Sequence, residues 1–190
     1  MKELILKKIT LRKRWSLGIF ITCIILMWAG LFILLYYTFS DDNNNLNFPF
    51  LLILFICLVF STLGIYMFKF FNAYITTVNE LSEKESSIFV EQGTYRPFAE
   101  QWLPSFIIYQ DKVQFFKIFN QSAYNFTDIK SINFKKFNFT RSRQDCRITI
   151  QLVKGTKHHY HIHGNLTQRL YLKNEALACN PKIMIDDQYA

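Results

Sequence analysis

Charge is missing from two long stretches of this chain. Trp15 to Phe39 and Phe48 to Phe68 contain no Asp, Glu, Lys or Arg, and only the polar linker Ser40 to Asn47 separates them. Each run is as long as the roughly 20 residues that a helix needs to cross about 30 Å of hydrocarbon. A soluble core helix would carry a polar stripe every third or fourth residue, whereas Gly18 to Met27 is apolar all round. The expectation is a transmembrane hairpin. A transporter or channel normally needs intramembrane charge or broken helices, and these runs supply no charge.

Other absences narrow the chemistry. The six glycines are scattered at 18, 30, 64, 93, 155 and 164, so no glycine-rich loop can cradle a phosphate. Cys23, Cys57, Cys146 and Cys179 include no C-x-x-C pair and are expected as free thiols. Carboxylates paired in an acid/base frame are also lacking. The expectation is a protein that is not an enzyme and carries no cofactor.

What is present is lopsided charge. The chain of 190 residues has a formal net charge of +8. Lys2, Lys7, Lys8, Arg12, Lys13 and Arg14 face a single Glu3 before the first run, while the linker holds Asp41 and Asp42. The positive-inside bias then places both termini in the cytoplasm of a cell (inner or plasma) membrane, crossed twice. The first run is too long for a signal-peptide core, and no small-x-small cleavage site follows Tyr36-Tyr37-Thr38-Phe39. Four segments result: a basic leader at 1–14, the hairpin at 15–71, a juxtamembrane helix and connector at 72–104, and a cytoplasmic body at 105–190.

Beyond the hairpin, Ile75, Val78, Leu81 and Ile88 with interspersed Glu80, Glu83 and Glu85 predict one helix over Asn72 to Glu91. Gly93, Pro97 and Pro104 predict an irregular connector. The period then becomes that of strands. Phe106 to Tyr109 and Val113 to Phe119 flank a turn at Gln110-Asp111-Lys112, followed by Ala123 to Phe126 and Asp128 to Phe134. Cys146 to Val153 and Lys157 to His163 form a further hairpin around Lys154-Gly155-Thr156. Facing Ile148, Ile150 and Leu152 to the core sets them against Ile162, Tyr160 and His158, with Cys146 on the inner face. Leu166, Leu170, Leu172 and Leu177 predict a C-terminal helix, with a short strand Lys182 to Ile185 after it. Asp186 and Asp187 read as a solvated tail. The fold class expected is α+β: a two-helix transmembrane hairpin, then an antiparallel sheet packed on a C-terminal helix.

Two clusters offer binding chemistry. Lys130, Lys135, Lys136, Arg141, Arg143 and Arg147 are interleaved with Phe134, Phe137 and Phe139. Near an anionic leaflet each such cation gains about 1 kcal/mol, so lipid headgroups or an acidic partner suit them. Nucleic acid is not expected, since alternating Lys and Phe is the pattern of a half-buried strand. His159, His161 and His163 alternate on one strand and form a weak candidate for a metal site, next to the reading as a polar stripe. A cysteine nucleophile is disfavoured because the expected register buries Cys146.

The segments "FIIYQDKVQFFKIF", "YNFTDIKSINF" with Asp128, Ile129 and Ile132, "RITIQLVKG" and "ALACNPKIMI" follow the two spans. This layout resembles bacterial membrane-anchored PH-like domain proteins and is similar to the photosystem I assembly protein family. The resemblance implies a PH-like sheet domain acting as a non-catalytic platform. Its partners would be membrane lipids and a membrane protein or a second copy of the chain, with a scaffolding or assembly role. The alternative expectation is an envelope immunity or stress-protection protein acting through the hairpin itself.

Overall fold

The computed structural model describes residues 1–40, 47–96, 100–119, 121–136, 145–163 and 166–188. Both apolar runs lie within long helices, α1 (Lys2–Ser40) and α2 (Asn47–Glu80), packed side by side. Each is long and apolar enough to cross a membrane, and only 6% of the most apolar window of either is buried within the protein. Ile19, Ile25, Leu26, Phe32 and Phe55 stand exposed. Water would not tolerate that surface, and hydrocarbon would. Of the small residues that could bring the helices together, Gly64 does so. A Cβ there would lie 3.2 Å from the Phe20 ring, while Gly30 faces open space.

The helices continue past the apolar runs as a stalk. On the leader, Ile5 and Ile9 are one turn apart on one face and fully buried with Phe71, Tyr74 and Val78 of α2. Lys2 Nζ donates to Leu81 O (3.0 Å) and to Asn79 O, satisfying carbonyls orphaned at the end of α2. The helix expected over Asn72 to Glu91 is two helices. Ser82 caps α3 (Glu83–Thr94) in a reciprocal box: its Oγ accepts from Glu85 N, and Glu85 Oε2 accepts from Ser82 N. That capping signal ends one helix and starts the next, and α3 extends into the expected connector.

Among the described residues the body holds seven strands in two sheets, where one antiparallel sheet was expected. The first sheet is β1 (Phe106–Tyr109), β2 (Lys112–Phe116) and β3 (Gln121–Asn125), all antiparallel. The second has the order β6-β5-β4-β7, formed by β4 (Ile129–Lys136), β5 (Asp145–Leu152), β6 (Lys157–His163) and β7 (Met184–Asp187). β7 follows α4 (Leu166–Cys179) and pairs with β4 in parallel, as a crossover through a helix requires. The β1–β2 turn is two residues, Gln110 and Asp111, both at positive φ (45° and 57°), so Lys112 belongs to the strand.

The β5–β6 register is displaced by two residues from the sequence expectation: Ile148 opposes Tyr160, and Cys146 opposes Ile162. The turn is Val153 to Gly155, with Gly155 at φ +90° and its N–H donating to Leu152 O at 2.9 Å. A shift of two preserves the faces, because strand side chains alternate with period two.

Layers follow from these faces. Phe106, Ile108, Val113 and Phe115 point from the first sheet toward Ile132, Phe134, Cys146, Ile148, Ile150, Tyr160 and Ile162 of the second. Ile107, Tyr109 and Phe116 point the other way, into the stalk. On α4 the buried face is Gln168, Arg169, Leu172 and Ala176, while Leu166 and Leu170 are exposed, contrary to the leucine spacing. Asp187 is no solvated tail residue: its Oδ1 lies 2.7 Å from Arg169 Nη1, and Asp186 Oδ2 accepts from Asn133 Nδ2 at 2.5 Å. β7 pairs Asp186 with Asn133 and Asp187 with Phe134 of β4, so each carboxylate gains a partner that a free terminus would lack.

Candidate functional site

The outer face of the second sheet carries most of the described candidates. Pairing places Lys135 opposite Arg147, and Arg147 opposite His161, so three basic groups form one row across β4, β5 and β6. Directly paired side chains lie about 5 Å apart. The next row is Asn133, Thr149 and His159, in which Thr149 Oγ1 and His159 Nδ1 are 3.0 Å apart. Lys117 reaches over from the end of β2. Its Nζ donates to His159 O at 2.6 Å and lies 4.4 Å from the centroid of the Tyr160 ring. Arg147 is partly covered, and its Nε is buried with no hydrogen-bond partner among the described residues.

The expected basic cluster is thus divided. Lys135, Lys136 and Arg147 share one end of the sheet. Lys130 sits five residues back along β4, about 17 Å away at about 3.3 Å per residue. There it flanks, with Lys182, an open cleft of about 590 Å³ lined by Ile129, Val153, Pro181 and Met184. Arg141 and Arg143 lie outside the described residues.

Electrostatics make the histidine strand a poor cation site. The His159 imidazole is held below its usual pKa, first by desolvation and then by the charges of Arg147, Lys117, Lys157 and His158. The same field repels a divalent ion. Among the described residues no three His, Cys, Asp or Glu side chains converge. His163 ends β6, where its backbone pairs with that of Asp145. The thiols are not activated: Cys146 is fully buried in the core. Cys179 Sγ donates to Asp111 Oδ1 at 3.2 Å, and burial followed by that carboxylate pushes its pKa up to about 11.

Sequence reasoning missed Lys117, whose position over Tyr160 depends on two sheets facing each other. It also missed Arg96, over the Phe89 ring at 5.2 Å. Burial lowers the Arg96 guanidinium to about 10, so it stays charged at neutral pH within the α3 layer. Neither has a local sequence signal, because each is defined by packing between distant elements. Compared with protein-family models, curated proteins and solved structures, the chain matches none.

Proposed function

We propose that this is a non-catalytic two-pass protein of the cell membrane, with both termini cytoplasmic, whose PH-like body docks an acidic segment of a membrane-protein partner. The docking face is the row Lys135, Arg147 and His161. Binding there would scaffold a membrane complex or assist its assembly. Two facing sheets with a helix packed at their end support the PH-like reading, although the parallel β7 after that helix departs from it.

The observation that carries the proposal is the row of basic side chains itself, in which register sets Lys135 beside Arg147 and Arg147 beside His161. The layering favours a protein over headgroups as the main ligand. Stalk, first sheet and second sheet stack sideways from the helices, so this face looks along the membrane rather than into it. The raised Cys179 thiol and the dispersed metal ligands favour a binding role over catalysis.

The test is purification of the full chain in mild detergent, alongside the double variant Lys135→Glu, Arg147→Glu with an unchanged thermal midpoint. A partner rich in acidic residues, retained by the native chain and lost by the variant, is expected. Retention by both, or recovery of phospholipid alone, overturns the docking face. A reporter fused after Ala190 that proves external overturns the topology.

A further inference from the structure

The loop after β2 exposes two large apolar side chains, Ile118 at 44% and Phe119 at 68%. Their location is fixed by contacts along α2. β2 runs antiparallel to that helix, and successive contacts mark the descent. Thr77 Oγ1 donates to Gln114 Oε1 at 2.9 Å, and the Tyr74 ring stacks on Phe116 at 3.8 Å. At the next level Gln121 Nε2 donates to Lys69 O at 3.4 Å. Lowest of all, the Phe119 ring meets Tyr66 edge-on, with centroids 5.2 Å apart.

Tyr66 is inside the second apolar run, and Lys69 is the first charge after it. Phe119 therefore stands at the depth where hydrocarbon gives way to headgroups. The neighbours fit that level. Lys13 Nζ lies 4.4 Å over the Phe68 ring and donates to Asn72 Oδ1 at 2.6 Å, while Trp15 is 68% exposed about half a turn further in. Aromatic side chains at the boundary with cations just outside it are the arrangement of a membrane interface.

We propose that Ile118 and Phe119 form a third membrane contact, a wedge that dips into the acyl boundary beside α2 and seats the body on the bilayer. The occupant of this surface is phospholipid. Lys117 leaves the wedge on its aqueous side, held by Tyr160 and His159 O. The body's orientation is then set at three points, and the docking face of the second sheet is held at a fixed height. The inference rests on α1 and α2 spanning the membrane.

The test uses the full chain in vesicles of phosphatidylcholine and phosphatidylglycerol. The photoreactive residue p-benzoylphenylalanine is placed singly at Phe119, at Phe55 within the span, or at Val153 on the far end of the body. All three positions are exposed, so folding is not at stake. Lipid adducts by mass spectrometry are expected at 119 and 55, at least tenfold above 153. Adducts at 55 with none above the 153 level at 119 overturn the wedge and leave the spans standing. Absence of adducts at both 55 and 119 overturns the spans and the wedge with them.

Discussion

The two sheets of the body meet their surroundings in different ways. Over β1 and β2 the first is covered on both faces, by the stalk and by the second sheet, and all four residues of β1 are buried, while β3 at its edge has none. The second is covered on one face and leaves Arg147, Thr149, His159 and His161 on the other. A sheet clamped twice transmits the position of the helices. A sheet clamped once has a face to offer. Under the proposed function, the first sheet would serve attachment and the second recognition.

The largest test of that division is Tyr74→Ala. Its ring is stacked on Phe116, and its hydroxyl donates to Pro104 O within the buried stalk layer. Removing a large buried aromatic side chain is expected to cost about 3 to 5 kcal/mol. Thr149→Ala on the open face should stay within about 0.5 kcal/mol. Denaturant unfolding of the full chain in micelles measures both, and equal costs would erase the distinction. A sharper form compares Ile9→Ala in the leader with Ile150→Ala between the sheets. Both are fully buried, so each should cost about 2 to 4 kcal/mol. A leader outside the core would make Ile9→Ala silent.

A smaller effect comes from Glu85, which joins α3 to the first sheet. Its Oε1 accepts from Gln110 N at 2.7 Å. Burial raises its pKa, but the hydrogen bonds from Ser82 and Gln110 outweigh burial and leave it below the usual value. A depressed carboxyl stabilises the fold above its unfolded pKa of about 4.3 and loses that contribution as pH falls through the lower folded value. Thermal midpoints read from pH 6 downward should therefore fall more steeply for the native chain than for Glu85→Gln. At pH 6 the native chain should keep the higher midpoint. Parallel curves would contradict the role given to Glu85. Least of all, Gln110→Asn should stabilise by a few tenths of a kcal/mol, since Asn tolerates the positive φ of that turn better than Gln. A lowered midpoint would mean the turn is held by the Gln110 side chain.

The same contrast explains what could be read from the sequence. The two long helices, apolar enough to cross a membrane, were legible because hydrocarbon demands an unbroken apolar run. The faces of β5 and β6 were legible because one face is wet, so Ile148 and Ile150 alternate with Arg147 and Thr149. β1 offers no alternation: Phe106-Ile-Ile-Tyr109 is apolar throughout, and nothing local says that Ile107 and Tyr109 turn toward a helical stalk. Ile5 and Ile9 sit in a stretch whose cations dominate its reading, so the leader's place in the core was hidden. Arg169 and Asp187 are separated by most of α4 and the turn into β7, and no spacing rule joins them. In the site, Lys135 and Arg147 were recognisable as strand cations. Their union with His161, and the exile of Lys130, followed only from register.

The central claim is that the basic leader is built into the body, so that the two long apolar helices and the sheets move as one piece. Hydrogen exchange of the amides from Ile5 to Lys13, in the full chain held in micelles, tests it most directly. Protection matching that of Phe71 to Val78 on the partner helix is the result the account requires. Exchange within seconds, as for a solvated tail, would contradict it.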